Sequence, residues 1–239
     1  MADVSLTWLG HGSFRIDTPG DKRIYLDPWL GNPKCPESEK DPERIDVIAV
    51  THGHGDHVGD VPELGKRFSP AIVAMFELAS WLEWQGVPNA SANGMNKGGT
   101  VEVEGIKFTM TNALHSGGLV GDGTITYLGE PAGFVIEVEN GVRLYFAGDT
   151  AVFSDMQLIG RIYQPDVAIL PIGDHFTMGP REAAVALELL GVRRCVPAHY
   201  GTFPALTGTP DELRQLAPDV EITAPQPGET VTLGKMVAV

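Results

Sequence analysis

Three imidazoles and a carboxylate stand within six residues in Thr51-His52-Gly53-His54-Gly55-Asp56-His57, directly after the apolar run Val47-Ile48-Ala49-Val50. Imidazole nitrogen and carboxylate oxygen are the donors that Zn²⁺ and its neighbours in the first transition series accept. Gly53 and Gly55 bring no side chains to crowd the turn, so the backbone can wrap until alternate residues point at one centre. A solvated His-rich loop is the competing explanation, but such tracts run longer, repeat more and lack the glycine punctuation. One loop cannot complete a coordination shell. Further donors stand at the ends of later apolar segments: His115 after residues 106–111 and before Ser116-Gly117-Gly118, Asp149 in Phe146-Ala147-Gly148-Asp149-Thr150, and His199 in Val196-Pro197-Ala198-His199-Tyr200-Gly201. Each places one polar group just beyond a strand, where scaffolded sites lie.

Elements able to hold these donors follow from hydrophobic period and turn punctuation. The pattern predicts strands at 4–9, 13–17, 23–27, 47–50, 71–75, 101–103, 106–111, 134–138, 142–146, 167–170 and 220–223. Asn140-Gly141 is a strong two-residue hairpin signal and Glu104-Gly105 a weaker one. Helices are expected at 77–85, 154–163, 180–190 and 210–216. Pro180 and Pro210 suit first helical positions, Thr209 can cap with Glu212 three residues on, and Gly191 can take the left-handed C-terminal conformation. Two successive groups of strands followed by helices suggest two packed sheets with helices outside, a layered α/β arrangement.

With 239 residues and no linker or charged tail, the chain reads as one domain, 1–239; the Pro-rich stretches 32–42 and 218–227 are short enough to be loops. No apolar stretch approaches membrane-spanning length, and the start of the chain lacks a basic segment followed by an apolar one, so a cytoplasmic protein without a membrane partner is expected. Cys35 and Cys195 then read as reduced thiols, with a disulfide or a metal role for Cys35 as the alternative. The net charge of −14 gives a field that repels polyanions unless a local basic patch reverses it. The longest concentrations of basic residues are pairs such as Lys22-Arg23, Lys66-Arg67 and Arg193-Arg194, which read as solvated charges, so no nucleic-acid partner is expected.

The ordered set His-x-His-x-Asp-His, His, Asp, His resembles the metallo-β-lactamase superfamily. Trp8-Leu9-Gly10-His11-Gly12-Ser13-Phe14, Leu26-Asp27-Pro28-Trp29, Phe153-Ser154-Asp155-Met156 and Pro171-Ile172-Gly173-Asp174-His175-Phe176-Thr177-Met178-Gly179-Pro180 are similar to its UPF0173 metal-dependent hydrolases, with a further likeness to the ascorbate-phosphate lactonase branch. The resemblance implies a four-layer αββα sandwich and two metal ions per chain. His52, His54 and His115 would hold the first ion, Asp56, His57 and His199 the second, and Asp149 would bridge them. Zn²⁺ leads by ligand chemistry, with Mn²⁺ or Fe²⁺ acceptable to the same donors. Two ions about 3.5–4 Å apart can share a water, lower its pKa and present a bridging hydroxide to a carbonyl or phosphoryl centre. The reaction expected is hydrolysis of a small ester, lactone or phosphodiester. The flavin-partnered diiron branch usually carries Glu where this chain has His54, which disfavours redox chemistry. The alternatives are a metal-binding protein without turnover and a metal-dependent nuclease.

Around that set, Asp56, His11, Asp27 and His175 are the catalytic candidates. Asp56 would also orient the hydroxide. Asp27 could accept a hydrogen bond from a ligand imidazole, or simply form the turn before Pro28. His11 could donate to substrate or transition state, or be a structural turn histidine. His175 has the same two readings, weakened because Thr177-Met178-Gly179-Pro180 is already explained as a helix start. Tyr200 reads as a packed aromatic, with an oxyanion donor as the alternative. The Gly-rich segment 116–133 is expected to be a mobile loop gating a small-molecule substrate. Leu78, Trp81 and Trp84 at helical spacing read as core or a subunit contact, and a homo-oligomer is expected.

Overall fold

Along residues 144–147 and 167–170 every side chain is apolar, so neither segment can lie on a half-solvated sheet; both faces must be covered. In the computed structural model, which describes residues 3–235, the two faces enter different cores. Leu144, Phe146, Val167 and Ile169 join a core shared between two sheets. Tyr145, Ala147, Ala168 and Leu170 point the other way, beneath helices. This period-two partition makes the central layers.

The first half supplies β1 (Val4–Trp8), β2 (Phe14–Asp17), β3 (Arg23–Leu26), β4 (Val47–Val50), β5 (Ala71–Met75) and β6 (Gly94–Met95), interrupted by helices α1 (Gly55–Val58), α2 (Val61–Phe68) and α3 (Phe76–Trp84). The second supplies β7 (Thr100–Val103), β8 (Ile106–Asn112), β9 (Leu119–Gly121), β10 (Thr124–Thr126), β11 (Ala132–Glu137), β12 (Arg143–Phe146), β13 (Val167–Pro171), β14 (Arg194–Ala198), β15 (Glu221–Ile222) and β16 (Thr230–Leu233), with α4 (Met156–Tyr163), α5 (Pro180–Leu190) and α6 (Pro210–Leu216). The sheets run β16-β1-β2-β3-β4-β5-β6 and β15-β14-β13-β12-β11-β8-β7, each antiparallel at one end and parallel at the other. Phe14 meets Phe146 across the sandwich, ring centroids 6.2 Å apart. Val61, Leu64, Leu78 and Leu82 bury α2 and α3 in the first core, and Met156, Ile159, Ala183, Leu187 and Leu213 bury α4 to α6 in the second. The layers are therefore helix, sheet, sheet, helix, as expected.

The hairpins at Asn140-Gly141 and Glu104-Gly105 form, and Gly141, Glu104 and Gly105 all have positive φ. Segment 116–133 is not a plain loop: it carries the β9–β10 hairpin, turned at Asp122-Gly123 with φ of 51° and 72°. That Asp-Gly pair is itself a hairpin signal, masked by strands of only three residues. Two helices escape the sequence pattern. α1 lies inside the ligand motif, and α2 contains Pro62 and Gly65, which lower its helix propensity. β16 also goes unpredicted because its partner is remote, with Val4 paired to Leu233. Leu78 is buried and Trp81 packs against the core, whereas Trp84 is 81% exposed. Among the described residues no helix is long and apolar enough to cross a membrane.

Helices α4 and α5 cross at backbone contact. A Cβ on Gly160 would lie 2.1 Å from the Leu190 carbonyl oxygen and 2.9 Å from its Cα. Main chain cannot swing aside as a flexible side-chain end can, so Gly160→Ala must push the helices apart. The expected loss is about 1–3 kcal/mol, the usual range for overpacking. It should appear as a lower urea midpoint with an unchanged slope.

Candidate metal centre

The donors reach one rim of the sandwich because the strands that carry them end there. His52 follows β4, His54 to His57 form the turn into and through α1, His115 follows β8, Asp149 follows β12 and His199 follows β14. His11 after β1 and Asp27 after β3 reach the same rim, because β1, β3 and β4 run in one direction within the first sheet. His11, Asp27 and His199 all sit in the left-handed region, at φ of 53°, 44° and 54°. Such backbone is sparsely populated for residues other than glycine and persists where surrounding structure over-determines it. Here the carbonyl of His11 accepts from the Trp8 indole and from the His199 amide, each at 3.0 Å, tying the two sheets together at the site. Gly148 completes the approach: a Cβ there would lie 2.7 Å from Thr51 Cβ, so only glycine lets Asp149 turn in so close to the first loop.

All seven expected ligand residues converge, in two groups. His54 Nδ1 is 3.0 Å from His52 Nε2 and 3.3 Å from His115 Nε2. In the second group, ligand atoms of Asp56, His57 and His199 lie within 4.8 Å of one another, and His11 joins them. Asp149 Oδ2 stands between the groups. It is 3.1 Å from His199 Nε2 and 3.3 Å from His57 Nε2 on one side, and 3.6 Å from His115 Nε2 on the other. His52, His57, Asp149 and His199 are buried, whereas His54 is half-buried and Asp56 is 29% exposed, so the cluster opens on the side of the motif loop.

Asp27 is fully buried and accepts three hydrogen bonds: from the Thr51 amide at 2.7 Å, the Thr51 hydroxyl at 2.6 Å and His57 Nδ1 at 2.7 Å. With Nδ1 carrying that proton, a neutral His57 directs an Nε2 lone pair at the Asp149 carboxylate. Two acceptors face each other and need a proton or a cation between them. Nε2 of His57 and both ring nitrogens of His199 are buried without a hydrogen-bond partner, a rare condition in a folded protein. In protons alone the same demand is visible. Burial lowers the affinity of His199 for a proton, but Asp149 outweighs it and lifts the pKa to about 9. His57 is raised in the same way by Asp149 and Asp27 against burial. His52 is instead driven well below its ordinary value, first by burial and then by His57, and so offers a neutral nitrogen. A nitrogen and oxygen donor set with inward, unpartnered lone pairs fits a divalent transition-metal ion.

His11 is buried and its pKa is depressed to about 4, chiefly by burial. The imidazole is therefore neutral, and its partners assign the tautomer. Nε2–H donates to Asp56 Oδ2 at 2.9 Å, and Nδ1 accepts from the Thr202 hydroxyl at 3.0 Å. His175 is not brought into the centre. It is exposed, its amide donates to Asp174 Oδ1 at 2.7 Å, and its ring meets Phe176 edge-on at 4.4 Å. The expected catalytic role of His175 therefore has no contact to act through. Tyr200 stacks on Trp8, ring centroids 5.0 Å apart. Sequence reasoning missed Thr51, which links Asp27 to His52 Nδ1 at 2.9 Å, and Thr202, which holds His11. Thr51 adjoins the motif and offered a signal, whereas Thr202 meets His11 only through the fold.

A family model described as a beta-lactamase superfamily domain matches residues 22–200. A UPF0173 metal-dependent hydrolase of Koribacter versatilis is 47% identical over 231 residues, covering 96% of this chain and 98% of that relative. One from Rubrobacter xylanophilus is 50% identical over 235 residues, covering 96% of each. Among solved structures, a metallo hydrolase from the hyperthermophilic archaeon Ignicoccus hospitalis superposes with a TM-score of 0.86 at 33% identity, across 98% of this chain and 100% of that one.

Proposed function

Since the chain belongs to the metallo-β-lactamase superfamily and, within it, to the UPF0173 metal-dependent hydrolases, it is a metal-dependent hydrolase, and we propose that it uses two ions to cleave a small ester, lactone or phosphodiester. The carrying observation is the position of Asp149, whose Oδ2 lies within 3.6 Å of ring nitrogens from both donor groups. A mononuclear centre would have no use for a carboxylate shared in this way. His52, His54 and His115 would hold one ion, Asp56, His57 and His199 the other, and Asp149 both. When bound, such a pair lowers the pKa of water and polarises the oxygen of the group being attacked.

The surrounding residues do the positioning. Asp27 holds the proton on His57 Nδ1 and so keeps Nε2 free as a ligand, while Thr51 holds Asp27 in register. His11 donates to Asp56 Oδ2, the oxygen that also faces His199 Nε2 at 3.7 Å and His57 Nε2 at 4.0 Å, and so fixes the rotation of that carboxylate toward the centre. The β9–β10 hairpin begins four residues beyond His115, and Ser116 Oγ lies 3.2 Å from His54 Nε2. That places the hairpin at the open side, where it can cover a compact substrate and exclude water. Zn²⁺ is the leading ion, and Mn²⁺ or Fe²⁺ suit the same donors.

Protein purified without chelator and reconstituted with Zn²⁺ is expected to carry two ions per chain by elemental analysis. A content that never exceeds one in excess metal overturns the two-ion reading. Turnover of a small lactone, ester and phosphodiester, compared with RNA at matched salt, then tests the substrate class; cleavage of the polymer alone overturns it.

A further inference from the structure

Basic residues that are scattered in the sequence meet on the far side of the molecule. A groove of about 1000 Å³ lies at the N-terminal ends of β13 and β14, beside the α4–α5 crossing, and Arg143, Arg161, Arg193 and Lys235 line it. The metal ligands Asp149 and His199 lie past the opposite ends of β12 and β14, so the groove is separate from the metal centre. Four of its 13 lining residues are cationic and one, Asp166, is anionic, whereas the whole chain has 17 basic against 31 acidic residues. The expectation that no basic patch interrupts the acidic field is thus corrected. Its reason is physical: the four cations come from β12, α4, the segment after α5 and the segment after β16, and no linear window contains them.

We propose that this groove is a second binding site, for a phosphorylated small molecule of nucleotide size. Arg143 is committed to Glu137 at 2.7 Å and to the Tyr163 carbonyl at 3.2 Å. Among the described residues no acidic group pairs with Arg161, Arg193 or Lys235. Two helix C-termini end beside the groove and would attract cations, but each is worth only about half a charge. With Asp166 they offset about two of the three uncommitted cations. A positive surplus remains, in a protein whose total is −14. An arginine fork binds phosphate oxygens through paired N–H groups, and the Gln157 and Gln164 amides add neutral donors along the same wall. Pro165, Leu189 and Val192 provide an apolar floor for the organic part of a ligand. Small-molecule sites reach about 1000 Å³, so the groove is sized for one bound molecule. An extended nucleic acid would reach beyond the groove onto the surface of a chain whose net charge is −14.

The test uses the metal-loaded enzyme and ADP as the probe, measured by calorimetry at two salt concentrations. One saturable site is expected, weakened at higher salt and at least about tenfold weaker in Arg161→Gln/Arg193→Gln. Both residues are exposed, and that variant should keep the wild-type ion content and rate on a small ester. Absence of saturable binding overturns the proposal. So does ADP binding that the double substitution leaves unchanged, since the ligand then sits elsewhere, the metal centre included. Tighter binding of single-stranded RNA than of ADP, lost in the same variant, would replace the small-molecule assignment with a nucleic-acid one.

Discussion

Asp149→Ala is expected to abolish measurable hydrolysis and to leave the protein unable to retain two ions. Substituting a partner one shell removed from a metal typically costs about 10–100-fold in affinity or activity. In the proposed two-ion centre Asp149 would contact both ions, so its removal should exceed that range. The position is 3% exposed, and no neighbouring carboxylate can take its place between the groups: Asp56 Oδ2 is 3.7 Å from His199 Nε2 and 4.0 Å from His57 Nε2, and it is already bound by His11. Asp149→Asn keeps the shape and removes the charge, which separates packing from ligation. Elemental analysis and kcat/KM on the best small substrate decide the matter. Two retained ions with more than a tenth of wild-type activity, in either variant, would show that Asp149 is not shared.

Asp27→Asn should lower metal affinity by about 10–100-fold with the fold intact, because asparagine matches the volume and tolerates the positive φ of this position. Asp27 receives three donors and has none to give. Any orientation of the asparagine amide turns its NH₂ toward Thr51 or His57, so at least one donor loses its acceptor. Asp27→Ala leaves all three donors buried and unpaired, and each orphan costs about 1–3 kcal/mol; a marked fall in the unfolding midpoint is expected in addition. Chelator competition reads the first effect and urea denaturation the second. Wild-type metal affinity in Asp27→Asn would mean that the His57 ring is oriented without this carboxylate.

The candidate ligand residues were legible in sequence because the segments that carry them follow strands whose apolar runs announce their ends. The strands align at one rim, so donors from remote segments meet without further instruction. His11 and Asp27 were legible only as candidates, since both depend on the left-handed turns that aim them. His175 has a left-handed turn as well, at φ 60°, yet points to solvent; residue type and spacing do not carry that direction. The basic groove was invisible for a related reason. Charge adjacency in three dimensions is set by where α4 and α5 cross, and the helices cross where Gly160 admits the backbone of Leu190.

The pairing of β16 with β1 also shapes how the chain reaches its native state. Until residues 230–233 are available, β1 is an edge strand with unpaired amides and carbonyls along one side, a ready template for pairing with another chain. Closing that ladder joins segments more than 220 residues apart in sequence, and contacts of such separation slow the search for the folded state. On a ribosome the second sheet can assemble while the first still waits for its last strand. Nascent chains of this architecture should therefore spend their aggregation-prone interval with the β1 edge open.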